Sequence, residues 1–262
     1  MIKIAEEIDL ENYTLILPSV AVGNVGQLCV DLIISSLNLD KIGSSWNPMF
    51  IPICGLDPYR DDDDGSSSLC TTADLYIGTS RNIILFQLRS PYVGNSNSFF
   101  DELSRFIRQK KISKTVILTS SYDYERADRP EPAVRYLTTD ASLIGNEKLV
   151  ESLCWTKHTK RQSSSTGSEA AAATTMQRRY IPGGGFASAL FEHLESIEIP
   201  CTVLFCYCSE GDNVSDALIL FKGLNGWLNF TNNDTNVNQA NDIKYPPSWE
   251  YFFGNPPSAG MY

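Results

Sequence analysis

Two short runs, Thr115 to Ser120 and Thr202 to Cys208, are apolar through their centres rather than on alternate residues. Strands of that kind need cover on both faces, because an open face would leave Val, Ile and Leu in water. Elsewhere the apolar period becomes helical. Val25, Leu28, Cys29, Leu32, Ile33 and Leu37 fall on one face, as do Phe99, Leu103, Phe106 and Ile107. A third face joins Ala217, Leu220, Phe221, Leu224, Trp227 and Leu228, after Asn213 or Ser215 as cap. Strand and helix signals alternate, which predicts an α/β fold: a three-layer α/β/α domain with a mixed sheet.

Further strands are expected at Tyr13 to Val20, Met49 to Cys54, Ala73 to Gly78 and Ile83 to Arg89. The last two are separated only by Thr79-Ser80-Arg81-Asn82 and read as a hairpin. Ser98, with Asp101 three residues on, reads as a capping-box variant. Gly183-Gly184-Gly185 leads into a helix bearing Phe186, Leu190, Leu194 and Ile197.

Two stretches break the pattern. Asp61 to Asp64 are four adjacent carboxylates followed by Gly and Ser, which favours a solvated loop over a calcium loop. From about 157 to 175 a Ser-rich run precedes an alanine tract and reads as a disordered insertion. One strand and two helices after it are too few for a second core, so residues 1–262 are expected to form a single domain. An extended Pro- and aromatic-rich tail runs from about 246, with Trp249 to Phe253 expected to pack back onto the domain and Asn255 to Tyr262 to protrude.

With a formal net charge of -10 over 262 residues, the chain repels phosphate backbones, so no nucleic-acid partner is expected. No apolar run is long enough to span a bilayer, so no membrane partner is expected either. Met1 to Glu11 lacks the pattern of a secretory signal, which places the seven cysteines in a reducing compartment. Cys201, Cys206 and Cys208 alternate within an apolar run and read as small core residues rather than metal ligands.

Chemistry is sought at the carboxyl ends of the strands, where open α/β sheets bind ligands. Four polar loops lie there: Ala21 to Gly26, Ser90 to Asn97, Ser121 to Asp128 and Ser209 to Asn213. The third carries Asp123, Glu125, Arg126 and Asp128, and the fourth Glu210 and Asp212. Paired carboxylates can do acid–base work, but nothing in the sequence fixes their spacing. The two histidines, His158 and His193, have no nucleophile at a Gly-x-Ser-x-Gly elbow. The glycine turns match neither a P-loop nor a dinucleotide fingerprint. No catalytic, cofactor-binding or metal residue is therefore assigned. A hydrolase or phosphorylase using the strand-end loops is the alternative reading, and a general chaperone with a broad apolar patch is a third.

Several ordered stretches resemble the proteasome assembly chaperone 2 family. Pro18 to Leu28 is followed by Asp31-Leu32-Ile33-Ile34-Ser35, Leu37-Asn38 with Lys41-Ile42-Gly43, then Gln87-Leu88-Arg89-Ser90 and Arg135-Tyr136-Leu137. Ile181 to Gly185, Ser209 to Asn213 with Asp216-Ala217-Leu218, Pro247-Ser248-Trp249 and Phe253-Gly254 complete the series. The resemblance implies a phosphorylase/hydrolase-like fold with no catalysis and no cofactor. It implies a heterodimer with proteasome assembly chaperone 1, acting on 20S proteasome α-subunits in cytoplasm and nucleus. That pair promotes the α-ring and prevents off-pathway α-ring dimers. Chaperones of this group dock tails ending in a hydrophobic residue, tyrosine and any residue. Here Met261 and Tyr262 stand one position out of that register, and they are the expected tail contacts.

Overall fold

The computed structural model describes residues 1–4, 7–60, 68–93, 97–126, 134–144, 146–158, 179–231 and 243–251. Its frame is a nine-stranded sheet in the order β1-β3-β6-β7-β2-β8-β11-β9-β10. The strands are β1 (Ile2–Ile4), β2 (Thr14–Pro18), β3 (Asp40–Ser45), β6 (Ala73–Gly78), β7 (Ile83–Leu88), β8 (Lys114–Tyr122), β9 (Val134–Thr138), β10 (Trp155–Lys157) and β11 (Cys201–Cys208). A separate two-stranded ribbon pairs β4 (Cys54–Leu56) with β5 (Leu69–Thr71). The helices are α1 (Val25–Leu37), α2 (Asn97–Gln109), α3 (Glu147–Ser152), α4 (Ala187–Ser196) and α5 (Val214–Leu228).

The four middle strands β7, β2, β8 and β11 run parallel, and antiparallel strands flank them. The all-apolar runs occupy this centre because only there are both faces covered. One core lies under α2 and α4, where Phe99, Leu103, Leu190 and Leu194 meet Leu17, Ile117 and Val203. The other lies under α1 and α5, where Leu32, Ile33, Leu220 and Phe221 meet Ile16, Val116 and Leu204. The sheet between two helix layers is the predicted three-layer, mixed-sheet α/β architecture.

The hairpin β6–β7 forms as expected, with Thr79–Arg81 as its turn. Other expectations shift. No strand runs from Met49 to Cys54. Pro52 has no N–H to give, and the Asn47 side chain accepts from the Met49 N–H at 3.0 Å, which curls the chain. Phe50 makes an isolated bridge with Tyr92, and strand structure begins only at Cys54. Ser98 lies inside the first turn of α2, which starts at Asn97. Asn213 precedes α5 without a side-chain cap, and Asp212 instead accepts from the Val214 N–H at 3.0 Å. Lys157 ends strand β10 rather than opening a disordered stretch, and residues 159–178 lie outside the described residues. The acidic residues Asp61 to Asp64 lie outside them as well. The tail from about 246 folds back where it is described, as the aromatic residues from Trp249 lead one to expect. Pro247–Tyr251 form a 3-10 turn, Trp249 packs on the α1/α5 core, and Ser248 N–H reaches the Pro58 carbonyl.

The glycine at position 26 fixes how closely α1 lies on the sheet. A Cβ there would overlap the Leu118 carbonyl of β8, which is backbone and cannot swing away. Gly26→Ala is therefore expected to cost about 1–3 kcal/mol in urea unfolding. A loss below about 0.5 kcal/mol would show instead that α1 can lift from β8 freely.

Candidate functional site

The carboxyl ends of β2 and β8 are where a ligand crevice would open, and protein fills that place. Ser19 and Thr119 both donate to the Gly184 carbonyl, at 2.9 and 3.0 Å. Ser121 donates to the Pro182 carbonyl at 2.8 Å, and Ser120 to the Val22 carbonyl. Val22 N–H in turn reaches the Gly183 carbonyl at 2.9 Å. The two glycine turns thus meet each other and the strand ends. Gly185 sits at φ +60 with the Val20 carbonyl against its α-carbon, a position no side chain fits. The turns present carbonyls to the strand ends, and Gly184 N–H is already spent on Ile181. An anion site needs free N–H groups pointing the other way.

Beside this plug, the third and fourth strand-end loops do meet. They wall a cavity of about 300 Å³ with Asp123, Arg126, Glu210, Asp212 and Asp216 on its lining. The first loop contributes to the plug, and the second carries Tyr92 onto the ring of Phe186 at 5.6 Å. Glu125 closes the short turn Asp123–Glu125, and Asp128 lies outside the described residues. Among the described residues no group of three or more His, Cys, Asp and Glu is placed to hold a metal ion.

Both histidines are engaged. His193 Nε2 lies 2.9 Å from Ser104 Oγ, and Asp101 approaches the same nitrogen at 3.9 Å. A hydrolytic relay needs the carboxylate on the other ring nitrogen. Ser104 gives its proton to the Phe100 carbonyl at 2.6 Å, which assigns Nε2 as donor to Ser104. That nitrogen is then no base for that serine. His158 Nε2 meets the Tyr180 carbonyl and its ring packs on Phe205. The cysteines are all free thiols, and burial pushes Cys201 and Cys206 well up and Cys208 up to about 11. Those three are core residues without thiolate character, as the alternation of their run predicts.

A constellation that the sequence did not flag lies under α1. Asp31 is buried, and one of its oxygens accepts from Tyr59 at 2.5 Å, from Arg89 at 3.0 Å and from Gln87. Arg89 also donates to the Tyr59 hydroxyl at 2.6 Å and lies over its ring. Burial alone pulls the Arg89 guanidinium down, yet Asp31 and Tyr59 hold it charged, above its usual range. Burial and the Asp31 charge push the Tyr59 phenol well up, so it stays a donor. The signal was a charged residue among nine buried positions of α1.

That network holds the stem of the β4–β5 ribbon, and beyond it lies an exposed apolar strip. Ile51, Ile53, Leu56, Leu69, Tyr92 and Val93 are all exposed. They sit on segments joined by hydrogen bonds: Ile51 N–H to Pro91, Val93 N–H to Met49, Ile53 N–H to Thr72 Oγ1. Such grouping, rather than one exposed apolar residue, marks an interaction surface. Met261 and Tyr262, the expected tail contacts, lie outside the described residues.

Comparison with known proteins points the same way. A family model described as the PAC2 family matches residues 15–236. Proteasome assembly chaperone 2 of Mus musculus is 35% identical over 253 residues, covering 94% of each chain. The protein of that name from Nematostella vectensis is 32% identical, covering 87% of this chain and 94% of its own. Two Pyrococcus furiosus crystal structures share the fold. PbaA, described as an archaeal homolog of proteasome-assembly chaperone, superposes with a TM-score of 0.61 at 15% identity, covering 90% of this chain and 89% of its own. PbaB, described as an archaeal proteasome activator, superposes at 0.62 and 13%, covering 90% and 91%.

Two outcomes test this geometry. Removing the Asp31 carboxylate leaves Arg89 buried without its anion, so Asp31→Ala is expected to cost about 3–5 kcal/mol in urea unfolding. Tyr59→Phe should cost only about 1 kcal/mol, and equal losses would show that Arg89 does not depend on Asp31. In the acidic cavity, burial first and then Asp123 and Asp212 raise the Asp216 carboxyl, against its own backbone N–H. Folding thus favours protonated Asp216: the contribution is present at low pH and is lost as pH rises through the raised value. Asp216→Asn should raise the thermal midpoint at pH 7, and the gain should vanish below about pH 4. A gain that persists in acid would place its origin outside the carboxylate repulsion.

Proposed function

Since this chain belongs to the PAC2 family, we propose that it is a non-catalytic chaperone of proteasome assembly. The observation that carries this reading is the 35% identity with proteasome assembly chaperone 2, which runs through 94% of both chains. Two features of the site support it. The strand-end crevice is occupied by the protein's own glycine turns, held by four hydroxyls. The exposed groups that cluster are apolar and suited to a protein partner.

In this reading the chain heterodimerises with proteasome assembly chaperone 1. The pair engages α-subunits of the 20S proteasome, promotes the α-ring and keeps α-rings from pairing off pathway. Residues 1–262 act as one domain, in cytoplasm and nucleus, and no cofactor takes part. Met261 and Tyr262 add a weak tail contact with the α-ring.

Co-expression with the chaperone 1 paralog and free α-subunits, followed by size-exclusion chromatography with mass determination, tests this. A stoichiometric heterodimer that carries α-subunits into a ring-sized complex is expected. A well-folded chain that elutes alone would overturn the reading. A chain ending at Phe253 should bind the α-ring more weakly, and unchanged affinity would remove the tail contact.

A further inference from the structure

A second cavity adjoins the ribbon stem, where Asp57 and Ser68, the neighbours of Leu56 and Leu69, line it. It holds about 480 Å³ between the end of α1, strand β3 and residues 57–60. Ile34, Leu39 and Ile42 give it an apolar wall. Tyr59 and Tyr76 meet edge to face at 5.4 Å and give it an aromatic one. Tyr76 is 98% buried, yet its hydroxyl has no hydrogen-bond partner among the described residues. A buried hydroxyl left without a partner costs free energy, and an acceptor brought in from outside would recover it.

The charges on the lining decide what fits. Lys41 is spent on Asp74 and on the Leu69 carbonyl, both at 2.8 Å. Asp57 accepts from Ser68 and from the Tyr59 N–H. Arg60 approaches Asp40 and Asp57 only at 3.8 and 3.9 Å, beyond hydrogen-bond range. Two acids and two bases balance, and the one cation outside hydrogen-bond range, Arg60, is ion-paired within 4 Å of both acids, so the lining carries no net positive charge for a phosphate or carboxylate ligand. The most open charge is Asp40, whose side chain is 80% exposed. The whole chain carries a formal net charge of -10. At the rim, Leu56 and Leu69 face each other across the ribbon at 62% and 53% exposure.

We propose that this cavity is an anchor pocket for a protein partner, taking one large uncharged side chain flanked by Lys or Arg. The anchor fills the apolar and aromatic walls, and its own hydroxyl or backbone carbonyl accepts from Tyr76. The flanking cation meets Asp40, and Leu56 with Leu69 seals the rim against water. Buried aromatic or aliphatic anchors inside a dry rim carry most of the affinity in protein interfaces. A basic flank also speeds encounter with an acidic chain. The proposal rests on the assembly-chaperone reading for the identity of the partner, and adds where and by what chemistry it docks.

The test uses the full chain, with the chaperone 1 paralog and each free α-subunit as separate probes. Asp40→Lys reverses the open charge, and Ser35→Phe fills the pocket from α1 at a half-buried position. Thermal melts show that each variant folds. Both variants are expected to weaken one of these probes about tenfold or more, and Asp40→Lys should also flatten its salt dependence. A photo-crosslinker at Leu56 should capture that same probe at a segment with an apolar residue beside Lys or Arg. Wild-type binding that both variants leave unchanged would overturn the pocket and leave the chaperone reading standing. A wild-type chain that binds no probe would overturn both. Capture of the chain's own residues 252–262 at Leu56 would overturn the partner proposal in favour of a self-contact.

Discussion

The Asp31 carboxylate is a charge placed beneath a helix whose other inward positions are apolar, and much of the architecture follows from the need to satisfy it. A buried charge is stable only when paired and hydrogen-bonded. Its partners come from β7, through Gln87 and Arg89, and from the ribbon stem, through Tyr59. Three elements distant in sequence are therefore fixed around one oxygen. The ribbon gains most. Strand β4 is exposed at every residue, and an isolated two-stranded ribbon is marginal in water. Held at its stem by Tyr59, it keeps Leu56 and Leu69 on display without a core of its own.

The strand ends show a complementary solution. Parallel strands leave polar groups at their carboxyl ends, and enzymes of this architecture use that crevice for ligands. Here Ser19, Thr119, Ser120 and Ser121 turn inward to carbonyls of the chain's own turns. The same hydroxyls that could have held a substrate hold Val22, Pro182 and Gly184. The acidic cavity beside β11 remains; Arg126 pairs with Asp123 there at 3.9 Å, while Asp123 and Asp212 work against the charge on Asp216. The described residues thus leave that crevice to the chain's own turns and put the apolar strip at the surface, in a fold shared with proteins named proteasome assembly chaperone 2.

The sheet's centre was legible because burial on both faces writes an unbroken apolar run, as in Thr115 to Ser120 and Thr202 to Cys208. The helices α1, α2 and α5 were legible because their stripes are long enough to show a period. The margins were not. Strands β1, β3 and β10 are short or half-exposed, so they carry no run and no clean alternation. Arg135-Tyr136-Leu137 was visible only as a stretch resembling the assembly-chaperone family, and its pairing with β11 depends on a long-range register. The glycine turns match no phosphate-binding motif in the sequence, and the hydroxyls that hold them give them an architectural place. Asp31, Gln87 and Arg89 stand in stretches that resemble the assembly-chaperone family, but nothing in the sequence joins them to one another or to Tyr59. The partners lie 28 to 58 residues from Asp31, and only the fold shows that Arg89 and Tyr59 reach one oxygen.

This division between centre and margin also has a mechanical sense. The parallel strands are covered by two helix layers, tied by Gly26 at the closest approach of α1, and have little room to adjust. The antiparallel margin β6–β3–β1 carries a bulge between Lys41 and Gly43, and both the ribbon and the anchor pocket lie beside it. Bulges bend a strand and re-aim side chains without disturbing the sheet behind them. A surface built on such a margin can differ among proteins of one fold while the covered centre stays fixed. The archaeal structures superpose over most of this chain at 13 to 15% identity. Retention of the fold at so low an identity is what a rigid centre with an adjustable margin allows.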